Sequence, residues 1–206
     1  MSSRKFGKDY FQDGIKKRVS LYSNFRWMPS VSFAIASRIK SLYPDQSILD
    51  YGCAMGYTVY ALRLLDVEAY GYDSSPYAIR KTKKEIREYV FAKASQCPRV
   101  DVVFGKDVLE HIAHPKIMGE LEWLSTMCRK ACFVVPLGEN GEYRITEYQF
   151  DKTHIIIEDE EWWAKTITDS GFRILGFQHD VTGFKDKWFL RNPIGNGTFF
   201  LKGKML

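Results

Sequence analysis

The chain has 206 residues, of which 45% are hydrophobic and 27% charged, and its formal net charge is +5. That balance suits one globular unit with a substantial core and excludes a disordered or collagen-like chain. No apolar run approaches the roughly 20 residues that a membrane-spanning helix needs, and the opening residues MSSRKFGKDY lack a hydrophobic signal core, so a cytoplasmic protein is expected. Cys53, Cys97, Cys128 and Cys132 form no C-x-x-C pair, and His111, His114, His154 and His179 are not set in a tight cluster with them. Neither a cystine framework nor a metal site is expected from that spacing.

Residues 5–28 are rich in aromatics without a long periodic run, which predicts a helical or irregular cap. A helix over 29–42 follows, opened by Pro29, with Val31, Ile35, Ala36 and Ile39 at roughly helical spacing. Such a cap lies outside a sheet and can close over a ligand. Tyr10, Tyr22 and Arg26 are its candidate contacts, although the same aromatics would serve equally as a packing staple.

Residues 48–57 read ILDYGCAMGY. A short apolar strand breaks at Asp50 into a loop carrying Gly52, Ala54 and Gly56, and good helix formers follow from Tyr57. Strand, small-residue turn and helix make the first half of a nucleotide-binding βαβ unit, in which the helix N-terminus offers unpaired N–H groups to a ligand. A second strand over 68–72 ends at Asp73, where a carboxylate is placed to accept hydrogen bonds from ribose hydroxyls. Ser74, Ser75 and Pro76 then start a helix.

The loop is D-x-G-x-x-x-G rather than the G-x-G-x-x-G of dinucleotide folds. It resembles motif I of the class I S-adenosylmethionine-dependent methyltransferases, and Asp73 matches the acidic residue of their second strand. The physical distinction is charge. A dinucleotide brings a pyrophosphate to the loop, whereas S-adenosylmethionine brings a sulfonium and a zwitterionic amino acid, beside which Asp50 is useful rather than repulsive.

Downstream, residues 76–88 form an amphipathic helix with Tyr77, Ile79 and Ile86 among basic residues, and a weak third strand lies near 89–92. Relatives often carry an adenine-binding acid after that strand. Residues 92–96 are Ala-Lys-Ala-Ser-Gln, which leaves adenine to backbone groups or Ser95. A fourth strand over 100–104 runs into GKDVLEHI, similar to the motif ending the fourth strand of small-molecule methyltransferases. First and fourth strands flank the switch point of an open parallel sheet, so Lys106, Asp107 and His111 are expected to face the pocket. Asp107 could also cap a following helix with Glu110 three residues on.

A helix over 115–127 and a fifth strand over 131–137 precede a long connection, 138–157, of the kind usually kept for function. Then come a helix over 158–170, a strand over 172–179, a loop over 180–197 and a last strand over 198–204. Those two closing strands resemble the antiparallel pair that ends the methyltransferase sheet. An N-terminal Gly-Lys-Asp-Tyr-Phe segment and Asp151-Lys152-Thr153-His154 add to the likeness, which covers nearly the entire chain.

The resemblance implies an α/β, Rossmann-like, seven-stranded, mostly parallel sheet with helices on both faces in three layers, residues 1–44 forming the cap and 45–206 the core. It implies S-adenosyl-L-methionine as cofactor, with contacts at Asp50, Gly52, Cys53, Ala54, Gly56, Tyr57, Asp73, Ser74, Lys106, Asp107 and Val108. The acceptor is expected to be a small molecule, anionic or phosphorylated if the basic clusters at 16–18 and 80–84 serve to attract it. Those clusters read equally as solvated surface. For a hydroxyl acceptor His154 and His111 are candidate bases, with Asp107 beside them. An RNA ribose methyltransferase and a noncatalytic methyltransferase-fold binder are the alternatives, and a nicotinamide oxidoreductase is disfavoured by Asp50 and the loop spacing.

Overall fold

A computed structural model describes residues 5–205. Two short helices, α1 (Lys8–Phe11) and α2 (Gly14–Lys17), and an irregular stretch lead into α3 (Pro29–Leu42). Then β1 (Ile48–Tyr51), α4 (Tyr57–Leu64), β2 (Ala69–Tyr72), α5 (Pro76–Lys81), β3 (Val90–Phe91) and β4 (Val100–Lys106) follow. The chain continues through α6 (His114–Met127), β5 (Cys128–Pro136), a small hairpin of β6 (Gly138–Glu139) and β7 (Glu142–Tyr143), and α7 (Glu160–Asp169). It closes with β8 (Arg173–Gln178), α8 (Asp186–Phe189) and β9 (Asn196–Lys202).

Seven strands form one sheet in the order β3-β2-β1-β4-β5-β9-β8. The first five run parallel, and β9 lies antiparallel between β5 and β8. The central strands β1, β4 and β5 carry nearly continuous buried runs because both faces are covered there. Leu49, Val103, Phe133 and Val135 point to a layer holding Leu121 and Leu124 of α6 and Trp163 and Ile167 of α7. Ile48, Val102, Phe104 and Val134 point the other way, to Ile35 and Ile39 of α3 and Val59 and Leu62 of α4. Each of these buried aliphatic and aromatic side chains contributes about 1.5–3 kcal/mol, so the sheet is held rigidly where its strand ends meet the site.

Three expectations need correction. The helix expected over 76–88 stops after Lys81: Thr82 turns extended at ψ 137°, and a 3-10 helix over Lys84–Tyr89 carries on. The break lets Thr82, Ile86 and Val90 pack together against the Gly56 turn. The third strand is only two residues long, and β5 begins at Cys128, three residues earlier than expected. Cys128 and Cys132 are fully buried in the core, and all four cysteines are free. Among the described residues no helix is long and apolar enough to cross a membrane.

Candidate active site

The carboxyl ends of β1, β2 and β4 open into a cavity of about 440 Å³. Its near wall is the loop after β1. Gly52 sits at φ +80°, and a Cβ there would lie 2.3 Å from a methyl of Val108, so only glycine fits between the two loops. Gly56, at φ +73°, opens α4 and donates its N–H to the Cys53 carbonyl; it shapes the turn from beneath rather than lining the cavity. The Cys53 side chain also turns inward, next to Gly71 and Val59, so what it offers the cavity is backbone.

Asp73 fastens this loop. Its carboxylate accepts the Ala54 N–H at 2.8 Å and the Ser75 N–H at 2.7 Å, which partly offset the upward push that burial gives its pKa. Asp50, at the end of β1, is buried with less compensation. Burial pushes its carboxyl up to about 7, with Lys106 pulling it down and Asp73 pushing it up. Ser75 caps α5 by accepting the Ala78 N–H at 3.1 Å and donates to the Phe6 carbonyl, tying cap to core.

The roof is the N-terminal segment. Tyr10, Tyr22, Arg26, Phe6, Phe11 and Phe25 line the cavity, and Phe25 stacks on Tyr57 with centroids 5.5 Å apart. The far wall comes from the two long connections. Tyr148, Asp151 and His154 arrive from the first, and Lys185 and Trp188 from the second.

Two polar groups occupy this far side. Asp107, at φ 54°, lies between Lys106, whose Nζ is 2.6 Å away, and the buried Lys185, which also donates to the Tyr148 hydroxyl at 2.7 Å. Burial alone would raise the Asp107 carboxyl, but the two ammonium groups hold it well below the usual range. Asp107 makes no helix cap: the following 3-10 turn, Leu109–His111, has Val108 at its N-cap and no side-chain cap bond.

The second group joins Glu110, His111 and His154. The imidazoles lie 4.8 Å apart between centroids, and His154 Nε2 is 3.9 Å from both Glu110 Oε1 and an Asp151 oxygen. Thr153 Oγ1 donates to Asp151 at 2.6 Å, so its remaining capacity is to accept from His111 Nδ1, 2.8 Å away. That network puts the His111 proton on Nδ1 and leaves Nε2 with a lone pair. Burial, then the neighbouring His154, lowers the His111 pKa to about 4, and burial lowers that of His154.

Of the residues singled out in the sequence, Asp50, Gly52, Cys53, Ala54, Tyr57, Asp73, Ser74, Lys106, Asp107, Val108, His111 and His154 line one cavity. Residues 92–96, including Ser95, lie outside it. There the wall is Tyr51, Tyr72 and Glu120, with the Tyr51 hydroxyl donating to Glu120 at 3.0 Å. The tyrosines were findable as neighbours of Asp50 and Asp73. Glu120, Lys185 and Tyr148 carried no local signal. The basic residues at 16–18 and 80–84 do not line the cavity.

Strand order, reversed last strand and a cavity at the switch point define a Rossmann-like class I methyltransferase. A family model described as a methyltransferase domain matches residues 26–175. The chain belongs to that family, and its methyl donor is S-adenosylmethionine. No curated protein matches the chain in sequence. Among solved structures it is similar to the CcbJ methyltransferase from Streptomyces caelestis, at 11% identity and a TM-score of 0.61 over 85% of this chain and 90% of that one. It is similar to an S-adenosylmethionine-dependent methyltransferase from Archaeoglobus fulgidus, at 14% and 0.61 over 83% and 94%. Magnesium protoporphyrin IX methyltransferase from Synechocystis, with bound S-adenosylhomocysteine, shares 16% and 0.60 over 85% and 82%.

Proposed function

We propose that the protein transfers a methyl group to a hydroxyl of a small molecule, a saccharide or a related metabolite, in the cytoplasm. The observation that carries this reading is the His111–His154 pair, kept neutral by burial at the cavity's far wall, opposite the loop of Gly52 and Asp73. When bound, S-adenosylmethionine supplies an already activated methyl on a sulfonium.

The residues present fit that donor. Asp73 has spare lone pairs beyond its two backbone bonds for the ribose hydroxyls. Asp50, a buried carboxyl without a full counter-charge, suits a cationic ligand. Tyr51, Tyr72 and Glu120 form the wall for the adenine, in place of the acid missing at 92–96. Ala54, Tyr57, Ser74, Lys106 and Val108 complete the walls.

The chain's remaining task is to hold an acceptor in line with the methyl–sulfur bond and to exclude water. The aromatic roof performs the exclusion. The histidine pair activates the acceptor oxygen, and Asp107 holds the ammonium groups of Lys106 and Lys185 in the wall beside it, which suits an acceptor carrying negative charge. Two features favour a small acceptor over RNA: the cavity is roofed by aromatics, and the basic clusters lie away from it. A screen with labelled S-adenosylmethionine, starting with sugars and sugar nucleotides, tests the reading. Methylation of an oxygen supports it. Transfer only to RNA, or only to nitrogen or carbon, overturns it.

A further inference from the structure

The Glu110 carboxylate is the least explained group in the protein. It is fully buried, and neither oxygen has a hydrogen-bond partner. An unsatisfied buried carboxyl costs more than an unsatisfied hydroxyl or amide, and it is relieved either by a proton, which burial and then Asp107 favour on Glu110, or by a cation. Among the described residues no lysine or arginine fills that place: Lys106 and Lys185 are both committed to Asp107. What Glu110 does face is His154 Nε2, at 3.9 Å, and the side chain of His111 next to it.

We propose that Glu110, His111 and His154 bind a divalent first-row transition cation such as Mn²⁺, Co²⁺ or Zn²⁺, whose open positions take the oxygens of a vicinal diol or similarly chelating acceptor. This rests on the methyltransferase reading and specifies how the histidine pair acts: through a cation, rather than by taking the proton itself. Two imidazoles and one carboxylate, with the remaining positions open, are a donor set suited to such ions.

Three observations carry the assignment. One ligand atom from each residue lies within 4.8 Å of the others, so bonds of about 2.0–2.2 Å to a shared cation require the three side chains to close in on it. His111 is already held as a ligand should be. Its Nδ1–H is taken by Thr153, which is oriented by Asp151, so Nε2 presents a lone pair. Such outer support of a ligating histidine is what metal sites use. Finally, His111 and His154 line the cavity while Glu110 lies behind them, so the cation would be anchored by protein on one side and open to the acceptor on the other.

The chemistry balances with solvent as the proton acceptor. The acceptor hydroxyl, polarised by the cation, gives up its proton to solvent as it binds, before the roof excludes water; its oxygen then forms the O–CH₃ bond as the S–CH₃ bond breaks, and that electron pair stays on sulfur. Nothing is oxidised or reduced. No metal site is expected from the sequence because the histidines are not set in a tight cluster with the cysteines, and 43 positions separate His111 from His154. The fold removes that separation.

The test is Co²⁺ titration of the chelator-stripped, full-length protein with S-adenosylhomocysteine present, followed by visible absorption and calorimetry. The expected result is one Co²⁺ per chain with ligand-field bands, lost in His154→Ala and in Glu110→Gln. Thr153→Val should weaken binding about 10–100-fold with the bands retained. Glu110→Gln keeps the side-chain shape, so the test survives if His154→Ala fails to fold. Saturable S-adenosylhomocysteine binding without stoichiometric Co²⁺, or Co²⁺ binding unchanged in Glu110→Gln and Thr153→Val, overturns the proposal. Co²⁺ binding as expected, with no S-adenosylhomocysteine binding, upholds the metal site and overturns the methyltransferase reading on which its acceptor role rests.

Discussion

Thr153 Oγ1 stands 2.8 Å from His111 Nδ1, although 42 positions separate the two residues. Because Thr153 spends its only hydroxyl proton on Asp151, 2.6 Å away, the direction of the His111 bond is determined. In chelator-treated protein the ¹⁵N shifts of His111 should show a neutral ring protonated on Nδ1 at pH 7. Thr153→Val should leave a mixture of tautomers and cost about 1–3 kcal/mol in urea unfolding for the orphaned N–H. An Nε2–H tautomer in the wild type would contradict the network.

Gly52 makes a second prediction, on stability. Gly52→Ala meets two separate costs: a left-handed φ, worth about 1–3 kcal/mol, and a Cβ 2.3 Å from Val108. Adding Val108→Ala removes the 2.3 Å contact with the methyl but leaves the Val108 Cβ at 2.7 Å, together with the backbone strain. Urea midpoints should therefore fall for Gly52→Ala and recover only in part in the double variant. Full recovery would mean that neither the positive φ nor the remaining Cβ contact carries a cost there.

Asp50 predicts a pH dependence of ligand binding. In the free protein its carboxyl is raised to about 7, chiefly by burial. A cationic ligand favours the ionised form, so binding lowers that value and, below pH 7, expels a proton. Affinity for S-adenosylmethionine should thus be level above pH 7 and fall up to about tenfold per unit below it. Calorimetry between pH 6 and 8 measures this, and Asp50→Asn should flatten the profile. A profile unchanged by Asp50→Asn would place the titrating group elsewhere.

Much of the fold was legible because its signals are local. Pro29 starts α3, the apolar pair Ile48 and Leu49 lies in β1, and Ser75 with Pro76 opens α5, each within a residue or two of expectation. The loop from Asp50 to Gly56 was legible for the same reason: its glycines answer to a positive φ. What was not legible depends on distance in the chain. The break at Thr82 is set by packing on Gly56, which no window over 76–88 contains. Lys185 pairs with Asp107 from a loop 78 positions away. The His111–His154 pair likewise needed the connection over 138–157 to fold back on β4, so each histidine could be suspected alone, and their cluster with Glu110 could not.

The central claim is that this cavity binds S-adenosylmethionine through Asp73, and the most direct test is calorimetric titration with S-adenosylhomocysteine. We predict one site of micromolar affinity in the intact protein. Asp73→Ala, which removes both the ribose acceptor and the Ala54 and Ser75 N–H partner, should weaken it by about 10–100-fold or more, as losing hydrogen bonds to a charged group implies. No binding to the intact protein, or binding untouched by Asp73→Ala, would contradict the account.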